Sequence, residues 1–402
     1  MDKTAVTRWC SGITSVNFSV TYWDGTSTRC GTKPPAFSVV FKKQPSILDL
    51  SGDPTLYLGE AYMRGDIELE GDCAAMAVAV EDLEDAAGVS PGSAAASKLL
   101  SGIAFVARTL KRQKGDIAAH YDLGNDFFSL WLDPATLSYS CAYFRHPDDT
   151  LDAAQQQKVE LVLKKLHLRP GMRLLDIGCG WGWLALRAAR DHGARVLALT
   201  LSEEQFAATR QRFADNGVND TAEARLCNYL ELEGNGQFDR VVSVGMFEHV
   251  GKAHHARYFE KVRDLLKQGG LSLLHTLTKF KPSANNAWIQ KYIFPGGHIP
   301  TPSEIVEQLP QCGFHLLNAE NLRRHYIRTL ELWYKNFSCP DVLNRVRARF
   351  GEAFCRMWSL YLRMAAASLS AGVLDVHQFV FTKGINDDLP MTMEGVYGSG
   401  MP

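Results

Sequence analysis

The run Leu175-Asp-Ile-Gly-Cys-Gly-Trp-Gly182 carries the clearest chemistry in the chain. An apolar stretch feeds a turn with glycine at every second position, and a helical pattern follows. Glycine lets the backbone turn sharply and approach a ligand closely, and the start of the following helix offers free N–H groups. Such a loop suits a nucleotide-like ligand. G-x-x-x-x-G-K-[ST] is absent, which excludes a P-loop, and Gly178, Gly180 and Gly182 do not satisfy G-x-G-x-x-G. The acid that usually ends the second strand to hold ribose hydroxyls is also missing. That strand ends Leu199-Thr200-Leu201-Ser202, with Glu203 the first acid. Ribose contacts then fall to hydroxyls and to Gln205, while Thr200 and Ser202 also suit a helix N-cap, and the two uses coexist.

A second set is built for proton chemistry. Glu248 and His275 fall at the ends of two adjacent predicted strands, on the edge where ligands of α/β sheets bind. With Tyr326 they can hold an anion or relay its proton. Alone, Glu248 reads as an acid at a helix start and His275 as a core histidine. Tyr326 alone reads equally well as a packed tyrosine with a buried hydroxyl. His254 and His255 read as surface residues.

The elements that position these groups follow from the hydrophobic pattern. From about residue 170, strands at Arg173–Ile177, Val196–Thr200, Ala224–Cys227, Asp239–Val244 and Leu271–Leu277 alternate with helices ending near His192, at Glu203–Asn216 and near Ala253–Lys267. This is the signature of a doubly wound, largely parallel α/β sheet. Residues 285–370 read as mainly helical insertions, Val376–Thr382 as a late strand, and Gly395–Pro402 as a loose tail. Upstream, Val16, Phe18, Val20 and Tyr22 share one face of a strand that the Trp23-Asp24-Gly25-Thr26 turn ends. Phe37–Phe41 is a second strand, Leu56–Leu58 and Ile67–Glu70 are weaker ones, and small residues predict a helix over Cys73–Ala87. Ser90-Pro91-Gly92-Ser93 breaks it. A further helix over Ser97–Lys114 ends in the basic run Arg108 to Lys114. The chain therefore divides into a smaller N-terminal α+β domain (1–115), a catalytic domain (116–390) and a tail (391–402).

Composition sets limits. The 402 residues carry a formal charge of −1, with 46% apolar and 22% charged residues. Nothing global attracts the chain to nucleic acid. No secretory signal and no run near 18 apolar residues is seen, so the expectation is a cytoplasmic protein with at most peripheral membrane contact. The basic 108–114 run reads first as a solvated helix end; as a binding site it would meet anionic headgroups. Nine cysteines without a C-x2-C pair argue against a metal site.

The motifs together resemble the cyclopropane-fatty-acyl-phospholipid synthase family. They are His120-Tyr-Asp-Leu-Gly-Asn125, Tyr139-Ser-Cys-Ala-Tyr143, Leu175–Gly182, Gly245-Met-Phe-Glu-His-Val-Gly251, Leu274-His-Thr276, Lys291-Tyr-Ile-Phe-Pro-Gly296, and Arg324-His-Tyr-Ile-Arg-Thr-Leu330 with Trp333. The resemblance covers about 116–390, and Tyr22-Trp-Asp-Gly25 resembles the extra domain of longer members. It implies a class I, Rossmann-like methyltransferase fold that binds S-adenosylmethionine. The implied contacts are Tyr139 and Ser140, Asp176, Gly178, Cys179 and Gly180, Thr200, Leu201, Ser202 and Gln205, and Tyr229. It also implies a bicarbonate ion, acting as base, near Cys141, Glu248, His275, Leu277 and Tyr326. Two departures stand out: Asn228 replaces a common Asp, and Ala365 replaces a cysteine of the late helix.

The implied reaction is methylene transfer from S-adenosylmethionine to the cis double bond of an unsaturated phospholipid acyl chain. The alkene is a weak nucleophile, so the sulfonium methyl must be held close and in line. The resulting cation needs a dry cavity, and one proton must leave the added methyl. Tyr139, Tyr143, Phe144, Phe247, Trp288, Tyr292 and Trp333 suit such a cation, although most read as packing residues. The resemblance implies a homodimer at the inner face of the membrane. Alternatives are transfer that stops at a methyl branch, N-methylation of a small amine, and a lipid-binding protein without turnover.

Overall fold

The computed structural model describes residues 3–46, 52–88, 123–283 and 286–397. The Ser90–Ser93 break, the 97–114 helix with its basic run, the boundary near Gly115 and residues 120–122 lie outside them. The described residues form two compact units.

The first unit starts with the helix Thr4–Cys10 and a sheet of β1 (Phe18–Thr21), β2 (Ser27–Cys30), β3 (Phe37–Phe41) and β4 (Ile67–Gly71), in the order β2-β1-β3-β4. Phe18, Val20 and Tyr22 are buried on one face, as their alternation predicts. Leu56-Tyr57-Leu58 is not a strand but part of the helix Pro54–Arg64. The reason is local: the Asp53 carboxylate accepts the N–H groups of Thr55 and Leu56, Pro54 opens the first turn, and Gly65 closes the helix at φ +75°. The predicted small-residue helix spans Cys73–Gly88.

Lys279–Pro295 and Leu330–Leu374 also belong to this unit, so the two units are not successive along the chain. The helix Glu352–Ser370 packs on Pro54–Arg64 and Cys73–Gly88. Its Arg356 donates to the carbonyls of Tyr62 and Ile67 and to the Glu68 carboxylate, with the guanidinium 4.1 Å from the Tyr62 ring centroid.

The second unit is built on β5 (Arg173–Ile177), β6 (Arg195–Thr200), β7 (Ala222–Leu226), β8 (Phe238–Val244), β9 (Leu266–Lys279), β10 (Phe314–Asn321) and β11 (Leu374–Lys383), in the order β10-β11-β9-β8-β5-β6-β7. The run β7-β6-β5-β8-β9 is parallel, whereas β10 is antiparallel to β11. Central β5 is apolar on both faces because both are covered. Leu174 packs with Ala185 and Val196, whereas Leu175 and Ile177 pack with Phe247 and Phe259. The chain runs outward from β5 to β6 and β7, then resumes on its other side at β8. That reversal makes the carboxyl end of β5 the natural ligand crevice.

Four further features differ from expectation. β10 falls in a region read as helical; it is an edge strand whose Asn and Glu residues hide the β signal. The helix Leu151–Lys165 has no predicted counterpart. The supposed tail contains the helix Glu394–Tyr397, held by buried Val396 and by the Tyr397 hydroxyl, which donates to Glu320 at 3.0 Å. His255 is buried, its ring centroid 4.4 Å from that of Phe247.

Candidate active site

The glycine turn after β5 sits where the sheet predicts a crevice. Gly178 (φ +85°) and Gly182 (φ +78°) adopt conformations that disfavour a side chain. A Cβ on Gly178 would lie 2.9 Å from Met246, and one on Gly182 would lie 2.5 Å from Thr209. The turn is tied down by N–H groups of Gly178 and Cys179 donating to Leu199 O at 3.0 and 2.8 Å. It also receives Trp181, whose indole donates to Asn125 Oδ1 at 2.6 Å.

One cleft gathers the predicted ligand residues. Tyr139, Ser140, Asp176, Gly178, Cys179, Gly180, Thr200, Leu201, Gln205 and Tyr229 all line it. Ser202 does not: its hydroxyl accepts Gln205 N–H at 3.3 Å as an N-cap. Thr200 and Gln205 are hydrogen-bonded to one another at 2.9 Å, so the polar end of β6 is preset in the absence of an acid. Asn228 caps the short 3-10 turn Tyr229–Glu231 through Oδ1, a role an aspartate would fill equally well.

Asp176 is buried, and its Oδ2 accepts no hydrogen bond among the described residues. Burial pushes its pKa up to about 7, with the nearby Lys158 acting in the opposite direction. An unsatisfied buried acceptor facing a cleft is costly unless a ligand donates to it. The amino group of a methionine-type donor fits, and the glycine turn leaves room for its backbone-like end.

Several lining residues were not among the predicted site residues, although Trp181 and His249 lie within the motifs that carry the resemblance. Lys158 and the aromatic pair Trp181 and Trp183 border the cleft, as does His249. Lys158 lies on the unforeseen helix Leu151–Lys165.

Beside the cleft lies the second predicted set. Cys141, Leu277 and Tyr326 pack in one apolar cluster with Tyr143, Leu161, Leu322, Val376 and Val396. Glu248, in the 3-10 turn Phe247–His249, reaches β9 and accepts Leu277 N–H on Oε1 at 2.7 Å. Its Oε2 is buried and accepts nothing among the described residues. Burial raises the Glu248 pKa, against the lowering effect of the Leu277 N–H. His275 lies inside β9, not at its end, opposite Val244 of β8. As residues i and i+2 of a strand, His275 and Leu277 share a face.

The Gln378 amide donates to His275 Nδ1 at 3.1 Å, which leaves the ring proton on Nε2. Burial depresses the His275 pKa to about 3, so the ring is neutral at pH 7. Burial raises the Cys141 thiol far above its usual range, and its S–H donates to Ala142 O at 3.2 Å. That cysteine is a thiol and not a nucleophile. The set therefore offers one buried carboxylate oxygen, a neutral N–H donor and apolar walls, which fits a small anion carrying its own hydroxyl proton.

The predicted aromatics separate. Tyr139 lines the cleft against Phe128 and Trp131, and Tyr143 stacks on His325. Phe247 is core. Trp288, Tyr292 and Trp333 belong to the first unit, where Tyr292 donates to Glu60.

Comparison with known proteins decides the family. Residues 108–379 match the model of the mycolic acid cyclopropane synthetase family, and residues 7–86 match a domain of unknown function. The chain belongs to the mycolic acid cyclopropane synthetase family. It is 37% identical to a probable fatty acid methyltransferase of Pseudomonas putida, over 93% of this chain and 95% of that one. It is 41% identical to the cyclopropane-fatty-acyl-phospholipid synthase of Escherichia coli K12, over 67% and 68% of the two chains. A mycolic acid cyclopropane synthase solved with SAH (S-adenosylhomocysteine) and CTAB superposes with a TM-score of 0.63 at 34% identity, covering 67% of this chain and 98% of that one. The protein is thus a cyclopropane-synthase-like, S-adenosylmethionine-dependent methyltransferase with the class I fold, built on a mixed seven-stranded sheet.

Proposed function

We propose that this family member converts the cis double bond of an unsaturated phospholipid acyl chain into a cyclopropane ring, using S-adenosylmethionine as the one-carbon donor. The observation that carries this reading is the junction of the two sites. Ser140 lines the donor cleft and Cys141 lies in the apolar cluster. Likewise Gly245 lines the cleft, and its N–H donates to His275 O at 2.9 Å.

The alkene attacks the sulfonium methyl: a C–C bond forms, the C–S bond breaks, and S-adenosylhomocysteine leaves with the electron pair. Positive charge then rests on the other former alkene carbon. Walls such as Leu161, Leu277 and Val376 exclude water that would quench it. Loss of a proton from the added methyl frees the electrons that close the ring.

Glu248, His275 and Tyr326 would hold a bicarbonate ion, with Cys141 and Leu277 beside it, and when bound this ion supplies the base. Glu248, through its unpartnered Oε2, would accept the hydroxyl of such an anion, and neutral His275 would orient the anion without competing for its proton.

No helix among the described residues is long and apolar enough to cross a membrane. Lipid access would come from peripheral contact at the inner face of the membrane, with the N-terminal unit in that role.

A second reading has its own support. The Pseudomonas putida relative that spans nearly the whole chain is named a fatty acid methyltransferase, and Ala365 departs from the cysteine of the resemblance. In that case transfer stops at a methyl branch. Mass spectrometry of acyl chains from cells expressing the protein, with derivatisation that distinguishes ring from branch, separates the two. A +14 Da ring supports the synthase; a +14 or +16 Da branch moves the reading to methyl transfer; unchanged lipids sink both.

A further inference from the structure

The helix Leu151–Lys165 turns two polar residues inward. Gln155 and Lys158, at i and i+3, lie on one helix face and are buried. Gln155 Nε2 donates to the carbonyls of Ser140 at 2.9 Å and Ser138 at 3.3 Å. Lys158 Nζ donates to the hydroxyls of the same two serines, at 2.9 Å and 3.4 Å. Four bonds from one helix turn therefore hold the segment Ser138-Tyr139-Ser140, all three of whose residues line the donor cleft, as Lys158 itself does.

We infer that Gln155 and Lys158 are a positioning pair for the methyl donor, holding Tyr139 and Ser140 in place and giving the cleft the countercharge of Asp176. The inference rests on the donor-binding reading of the cleft and extends it to two residues outside the glycine loop.

A purely architectural pair would not need this chemistry. A buried ammonium is expensive to desolvate and is retained only where the groups around it repay that cost. Lys158 faces Asp133 on the loop before Tyr139, Cys141 next to the held segment, Asp176 on β5 and His275 on β9. Asp133 is already satisfied by Thr136 and Ser138, whereas Asp176 keeps an open oxygen. Lys158 is thus the cation that lets Asp176 ionise while that oxygen remains available to the donor. Burial brings the Lys158 pKa down to about 8, with Asp133, Cys141 and Asp176 opposing the shift.

The test uses the full chain, Lys158→Met and Gln155→Leu, with S-adenosylmethionine as the titrated probe. Each variant frees the Ser138–Ser140 segment from two of its four bonds and should weaken the donor Kd by roughly tenfold. Donor KM should rise in parallel, with the lipid KM unchanged. Lys158→Met strips Asp133 and Asp176 of a buried partner and should lower Tm, so the donor affinity of the folded variant, with lipid KM unchanged, is the readout that an architectural lysine would not move. The parent's donor affinity should weaken as pH rises through about 8, where the cation is lost. That limb should persist in Gln155→Leu and vanish in Lys158→Met. Variants that fold and bind the donor within threefold of the parent overturn the inference. A parent that does not bind the donor overturns the underlying reading and this inference with it.

Discussion

The Glu248 carboxylate, in the turn that follows β8, meets the backbone of Leu277 on the neighbouring β9: Oε1 accepts the Leu277 N–H at 2.7 Å. This bond fixes the carboxylate in a buried position while its other oxygen stays open. An acid held by one oxygen and unpartnered at the other caps no helix, and under the proposed function it would receive a proton-bearing ligand.

Glu248→Gln tests that arrangement. The amide oxygen can still accept from Leu277, so the fold should hold within about 1 kcal/mol. The open oxygen becomes an NH2 donor and cannot accept a hydroxyl proton. Product formation should fall by about 100-fold or more, the usual weight of a positioned proton-transfer group, with S-adenosylmethionine affinity unchanged. Activity within a few fold of the parent would remove Glu248 from the chemistry.

Acid sensitivity follows from buried histidines. Burial, assisted by His298, holds the His255 pKa down to about 4, and burial acts the same way on His249 and His275. An unfolded histidine titrates near 6.5. Between about pH 4 and 6.5 the unfolded chain binds more protons, so this stability is full above 6.5 and is lost as pH falls. Asp176, with its raised pKa, acts in the opposite sense. Comparing urea unfolding at pH 7.5 and 5.0 for the parent and His255→Phe isolates one term. The parent should lose about 1–2 kcal/mol more than the variant, and an equal loss would show that His255 titrates freely.

What could be read beforehand depended on whether the signal was local. The Leu175–Gly182 turn was legible because glycine spacing and strand burial are properties of consecutive residues. Glu248 and His275 were legible as candidates, but their link through Leu277 depends on the pairing of β8 with β9 and appears only in three dimensions. Lys158 and Gln155 were not legible, since Gln and Lys in a helix ordinarily face water and only the packing of Leu151–Lys165 buries them. Leu56–Leu58 was misread from its β-like residues although Asp53-Pro54 already marked a helix start. His255 was misread as exposed because its aromatic partner, Phe247, precedes it by eight positions across a turn.

Arg356 should be a hinge of stability in the first unit. Its removal by Arg356→Ala leaves the Tyr62 and Ile67 carbonyls and the Glu68 carboxylate without this donor. Partly buried groups stripped of a charged partner cost about 2–4 kcal/mol. A denaturant titration should show that loss, and a cost under about 0.5 kcal/mol would show that solvent replaces the guanidinium.

Ala365 bears on the fate of the cation. It lies half-buried on the helix Glu352–Ser370 of the first unit, while Cys141, Glu248, His275, Leu277 and Tyr326 all belong to the second. Proton removal by an anion held among those five needs no thiol elsewhere. Ala365→Cys adds one sulfur at a half-buried helical position and should change stability by less than about 1 kcal/mol. The expected result is an unchanged ratio of ring to branched product in acyl chains from expressing cells. A variant that makes ring where the parent makes branch would place the decision at residue 365 and move the proton-accepting role away from the Glu248 site.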